Sequence, residues 1–228
     1  VADTGNRRVQ LFAKGQTATP KSILPMPAAP IALAVRESTL AVLTDDGQAR
    51  LYRLGAGEPV ESAVGSVGGT ARAIAFGPGG DLFVAHNGGW DQHQLCRYRA
   101  LEGHLELAAT VAPSYMAQWP RLFPAAVPLT TGPDGEVWFA SDNFGRVISL
   151  NPETDAARER AQVPSRLLAL SFDAAGAAYA VGYPRPGQRP EVTLLPEMAS
   201  KPPKPFLQDG ALGSADVPLW GLLPAPDG

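Results

Sequence analysis

The stretch VPLTTGPDGEVWFASDNFGRVISLNPETDAARERAQVP, residues 127–164, decides the fold. It contains an apolar run, a Pro-Asp-Gly turn, an alternating run, a polar turn, a second alternating run and a fourth segment. Side chains of a strand point to opposite faces in turn, so alternation with period 2 predicts strands, and these turns join them into a four-stranded meander. Only the fourth segment is contested. Residues 152–162, PETDAARERAQ, carry Pro at a first-turn position, good helix formers and acids ahead of bases, which favour a helix. Their place in the meander favours a polar outer strand, and that strand is the expectation.

The same plan recurs in AIAFGPGGDLFVAHNGG from Ala73, in IALAVRESTLAVLTDDGQARLYRL from Ile31 and, more loosely, in LLALSFDAAGAAYAVG from Leu167. First strands therefore start near Ile31, Ala73, Val127, Leu167 and Val217, about 40 to 54 residues apart, a spacing that fits β-propeller blades. One twisted blade cannot bury both its faces, so blades stack around an axis. The expected class is all-β: a propeller of four-stranded blades, five by count, or six or seven if this chain is part of a longer one. At the ends, VADTGNRRVQLF (residues 1–12) aligns with FASDNFGRVISL (residues 139–150) and so begins inside a second strand. VPLWGLLPAPDG, residues 217–228, reads as a first strand with its turn. The expectation is one propeller domain over residues 1–228, its ring closed by a blade split between residues 1–27 and 213–228.

Composition excludes several classes. With 45% hydrophobic residues the chain can bury a core, and with 22 acidic against 19 basic residues, a net charge of −3, it has no positive field to gather nucleic acid or anionic lipid. Neither nucleic acid nor membrane insertion is expected. A single cysteine forms no internal disulfide, and three scattered histidines give no Cys/His set at zinc-ligand spacing. No run approaches the ~18 apolar residues of a membrane span, and the first residues lack the order of a signal peptide. The compartment stays open, an extracytoplasmic one included. Arginine outnumbers lysine and alanine is abundant, a bacterial style of composition. Phosphate-loop, dinucleotide, nucleophile-elbow and His-Glu-x-x-His motifs are missing from the sequence. Cys96 falls inside a third strand and reads as a small buried hydrophobe.

In a propeller, the loops joining second to third strands and those joining fourth strands to the next blade emerge on one face. That rim would collect residues 3–6, 45–47, 86–93, 142–143 and 183–189, together with the long connections 112–126 and 196–216. The connection PSYMAQWPRLFP, residues 113–124, holds Tyr115, Trp119, Arg121 and Phe123, the residue types that dominate interface hot spots. With Trp90 they form the expected protein-binding surface, and no cofactor is expected. HNGGWDQHQ, residues 86–94, offers the alternative: His86, Asp91 and His93 could build a general base or hold a divalent metal for a small-molecule substrate. A solvated turn accounts for the same residues. Arg8, Arg50 and Arg146 share one repeat position at the start of third strands, which favours loop-pinning bonds over a substrate clamp. The Pro-rich segment 196–210 reads as an extended connector.

VADTGNRRVQLF resembles the signature of the NHL-repeat family, and TGPDGEVWFASDNFGRVISLNPET, residues 131–154, resembles both that family and virginiamycin B lyase-type propellers. The resemblance implies a propeller, and it implies ligand- or protein-binding platforms, RNA-binding modules, lyases or lactonases as functions. A lyase of that type relies on a metal near rim His and Glu residues, but Ser141 stands where the acid is expected. A lactonase would hold calcium, or magnesium in its place, on several converging oxygens; Asp3, Asp142 and Asn143 are the candidates, and all three are also explained as turn residues. The expectation is a non-catalytic NHL-like module that binds protein or serves as a subunit of a larger complex, with a metal-dependent propeller enzyme as the alternative.

Overall fold

The structure is a computed structural model. It describes residues 1–228 except 14–15, 17, 88–92, 112–127, 141–144, 155, 164–165, 174, 184–190, 196–203 and 208–228; side chains of residues 87, 93, 111, 166, 183 and 204–207 are also outside the description. Two compact units divide the chain, Val1–Gly88 with Leu95–Thr110 and Gly89–Gln94 with Val111–Gly228.

In the first unit, β1 (Ala2–Asp3), β2 (Arg8–Leu11) and β3 (Ser22–Pro25) form a three-stranded antiparallel sheet. Residues 217–228, expected to supply its inner strand, lie outside the described residues. Next come the meanders β4 (Pro30–Arg36), β5 (Thr39–Thr44), β6 (Gln48–Arg53), β7 (Val60–Ser66) and β8 (Ala71–Phe76), β9 (Leu82–Asn87), β10 (His93–Leu101), β11 (His104–Val111). The second unit holds β12 (Leu129–Thr131), β13 (Val137–Ala140), β14 (Arg146–Leu150), β15 (Ala157–Gln162), followed by β16 (Arg166–Phe172), β17 (Ala178–Tyr183), β18 (Glu191–Leu194), β19 (Lys204–Leu207). Each meander runs in simple sequence order, and the described residues contain no α-helix.

Period 2 explains how these sheets are buried. In β5, Ala41 and Leu43 enter the core shared with β8 to β11, beside Ile74, Phe76, Leu82 and Val84. Leu40 and Val42 point the other way, into a core with Val9, Met26 and Tyr52. A strand apolar on both faces belongs to a sheet packed on both faces, and each fully buried Leu or Val contributes roughly 1.5–3 kcal/mol. β13 repeats this, with Trp138 and Ala140 packed against Leu167, Leu170 and Ala180.

The hairpins joining first to second strands share one geometry. Gly80 N–H bonds Gly77 O at 3.1 Å, Gly135 N–H bonds Gly132 O at 3.0 Å, and Gly176 N–H bonds Asp173 O at 3.0 Å. The glycine closing each turn has φ of 88°, 77° or 86°, where a Cβ would be strained. Residues 152–162 take the strand option. Asn151 Oδ1 accepts from Glu153 N–H (2.9 Å) and Thr154 N–H (3.2 Å), which makes a turn of the segment that could have opened a helix. β15 then buries Ala161 against β14.

Two features lie beyond the alternating pattern. The outer strands β7 and β11 pair in parallel at Val64 and His104, with Val64 N–H bonded to Gly103 O at 3.1 Å, so two meanders join into one eight-stranded sheet. First strands β4, β8 and β16 each carry one residue too many for their second strands, at Ile31, Arg72 and Leu168.

Candidate functional site

Within the first unit, one end of the strands is tied into a continuous rim. Thr4 Oγ1 donates to Pro30 O at 2.8 Å, joining the β1–β2 turn to the start of β4. Asp45, in the β5–β6 turn, donates its N–H to Ala29 O at 2.9 Å and accepts Ala29 N–H on Oδ1 at 3.0 Å. Two residues on, Gly47 O accepts Val67 N–H at 2.8 Å and Gly68 N–H at 3.2 Å. Gly47 has φ of 77°, and a Cβ there would lie 2.5 Å from Gly68 C, so the turn and the connection touch backbone to backbone. Thr70 Oγ1 then lies 3.2 Å from His86 Nδ1, at the end of β9. Turns between second and third strands and connections between blades thus share this face of the unit.

The acids of the rim are occupied. Asp3 Oδ2 accepts Arg8 Nε–H at 2.6 Å and Oδ1 accepts Asn6 Nδ2–H at 2.8 Å. These bonds, Arg8 first, hold its carboxyl below the usual range. Asp46 Oδ1 accepts from Thr44 Oγ1 (2.6 Å) and Gln48 N–H (3.3 Å). The arginines that recur at third-strand starts each pair within their own sheet: Arg8 with Asp3, Arg50 with Glu61 at 2.7 Å, Arg146 with Glu159 at 3.8 Å.

His86 is different. It is 7% exposed, and its Nε2 is buried without a hydrogen-bond partner among the described residues. Burial, then the charge of Arg72, lowers its pKa, which favours the neutral ring. Of the other residues read as site candidates, Trp90, Asp91, Tyr115, Trp119, Arg121, Phe123, Asp142 and Asn143 lie outside the described residues, and His93 opens β10 with its side chain outside the description. Among the described residues no three His, Cys, Asp or Glu side chains gather as a metal site. Asp3 is therefore placed, while its two proposed companions are not.

Sequence reading missed a polar network in the second unit, at the start of β13. Glu136, 4% exposed, follows the glycine of the β12–β13 turn and receives Arg160 Nη2–H at 2.6 Å and a bond from Arg158. Arg160 also reaches Asp134 at 2.8 Å and Ser149 at 2.7 Å, and its guanidinium lies 4.7 Å over the Trp138 ring. Burial raises the Glu136 pKa, but bonds from Arg158, Ser149 and Arg160 outweigh it and bring it down to about 2. Arg160 is the extra residue where β15 slips against β14, and a bulge that re-aims one side chain leaves little mark on the alternation.

No protein-family model and no curated protein sequence matches the chain. Solved structures do. A chain of the Mitotic Checkpoint Complex superposes with a TM-score of 0.63 over 98% of this chain at 13% identity. Virginiamycin B lyase from Staphylococcus aureus gives 0.51 over 87% at 14%, and regucalcin, a calcium-binding protein from Agrobacterium tumefaciens, gives 0.52 over 85% at 14%. The chain has a propeller-type fold. It spans 64%, 58% and 64% of the length of those three chains, respectively. Identities this low carry fold alone, and the three differ in function: two are named for a lyase and a calcium-binding protein, one for a complex. Among the described residues no helix is long and apolar enough to cross a membrane.

Proposed function

We propose that this chain is a non-catalytic NHL-like β-propeller module, one domain over residues 1–228 with a blade split between residues 1–27 and 213–228, that binds protein as part of a larger assembly. The observation that carries the reading is the rim. Its carboxylates are spent on neighbouring backbone and arginine groups, so Asp3, Asp45 and Asp46 act as fasteners of a rigid frame. A frame of this kind presents inserted segments without deforming itself. The contact residues proposed on those segments are Trp90, Tyr115, Trp119, Arg121 and Phe123, the aromatic and arginine types that anchor interfaces. Occurrence of this fold in a multiprotein complex agrees with the proposal.

The metal-dependent lyase or lactonase reading rests on one observation, the unpartnered Nε2 of His86. Against it stands Arg72, whose positive charge acts on His86 and opposes a cation there. The test is native mass spectrometry of the protein purified from its source, with metal analysis of the same sample. A stoichiometric protein partner, released by Trp119→Ala with Arg121→Glu in a folded variant, supports the module. A chain without partner that retains about one calcium, magnesium or zinc ion per molecule overturns it, and its loss in His86→Ala would point to zinc, which an imidazole nitrogen binds.

A further inference from the structure

Repeats make their exceptions visible. At the extra residue of the first strand, β4 has Ile31, packed against the core between the blades, and β16 has Leu168. In β8 the same place holds Arg72. The residue of the second strand that faces the start of the first is Thr44 in one meander and His86 in the next. Thr44 is satisfied by Asp46 and by Gln48 O. His86 has a buried Nε2 with no hydrogen-bond partner among the described residues. Both exceptions therefore fall in one blade, at one end of one hairpin, where Ala71 pairs with His86 and Ala73 with Ala85.

Their donors are fixed and unspent. Arg72 Nη1 is held by Gly69 O at 2.9 Å and Ala71 O at 2.7 Å, while Nε and Nη2 make no further hydrogen bond among the described residues. When the Thr70 hydroxyl donates to Nδ1, the neutral ring carries its hydrogen on Nε2, which then points a second donor at no acceptor. A buried donor without an acceptor costs stability, and such groups persist where a ligand completes them. The ligand must accept, must be negative beside a guanidinium, and gains most from two oxygens in a plane.

We propose that Arg72 and His86 form a binding site for a carboxylate group, whether of a free organic acid or of an acidic side chain presented by a protein. The site goes beyond the partner reading above, because binding of a simple acid is scored without any partner. The full chain, labelled with 15N, is titrated with sodium acetate and, separately, with a capped tetraglutamate peptide, each against sodium chloride at equal ionic strength. The readout is the imidazole nitrogen signal that His86→Gln removes. A saturable shift with acetate assigns free acids, and one with the peptide alone assigns a protein-borne carboxylate. In either case Arg72→Gln weakens the midpoint about tenfold, the effect of one charge-assisted bond, Arg72→Lys less, and the exposed control Arg53→Gln not at all. No saturable shift with either probe, or an unchanged midpoint in folded Arg72→Gln, overturns the site.

Discussion

At the scale of single residues, local order in the sequence predicts contacts well where both partners sit in one turn or one sheet. Asp3, Asn6 and Arg8 lie within six residues, and the repeat position of Arg8, Arg50 and Arg146 was enough to expect pinning bonds. Glu136 was illegible because its partners Arg158 and Arg160 lie more than twenty residues away and one of them occupies a bulge. Its consequence is a pH dependence. The folded carboxyl titrates at about 2 against an ordinary 4.5, so its stabilisation is complete above about 4.5 and is withdrawn as pH falls toward about 2. Glu136→Gln is expected to lower stability by about 2 kcal/mol at pH 7 and to flatten the acid limb between those values, measured by urea melts across pH. A parent protein whose acid limb matches that of the variant would contradict this. Cys96, 4% exposed with its thiol pushed up by burial, is expected to resist an aromatic disulfide reagent in the native state and to react at once in denaturant. Rapid native reaction would show the strand to open.

At the scale of elements, strand order and hairpin turns were legible because both follow from period 2 and from Gly at fixed offsets. Residues 152–162 were ambiguous on propensity, and the Asx turn at Asn151 with the burial of Ala161 resolved them toward strand. The pairing of β7 with β11 was not legible, since two outer strands from neighbouring meanders share no local signal. One residue permits it. A Cβ on Gly65 would fall 2.6 Å from Leu105 Cβ and 2.9 Å from Leu105 O. Gly65→Val should therefore force the outer strands apart, at a cost of about 2 kcal/mol, with faster amide exchange along β7 and β11 than in the parent. Unchanged exchange in both strands would mean that the pairing does not join the two meanders in solution.

At the scale of the whole molecule, the three-stranded sheet β1 to β3 poses the largest question. Its central strand buries Val9 completely, against Leu40, Val42 and Tyr52 of the next meander, and the other meanders all run to four strands. Among the described residues this sheet has three strands, and a sheet edge favours pairing with an available strand. Residues 217–228, VPLWGLLPAPDG, have in sequence the apolar run and Pro-Asp-Gly turn of a first strand, which makes them the proposed fourth strand of this sheet. Deleting residues 213–228 should then expose apolar surface of several large side chains and lower stability on the order of 5 kcal/mol. If the blade is split as proposed, amide exchange should quicken first in β1 to β3, ahead of β16 to β19. Adding the peptide of residues 213–228 in trans should restore protection there. If the deletion leaves β1 to β3 protected, or if the peptide restores protection elsewhere, the split blade is wrong and the first sheet is completed by a different strand.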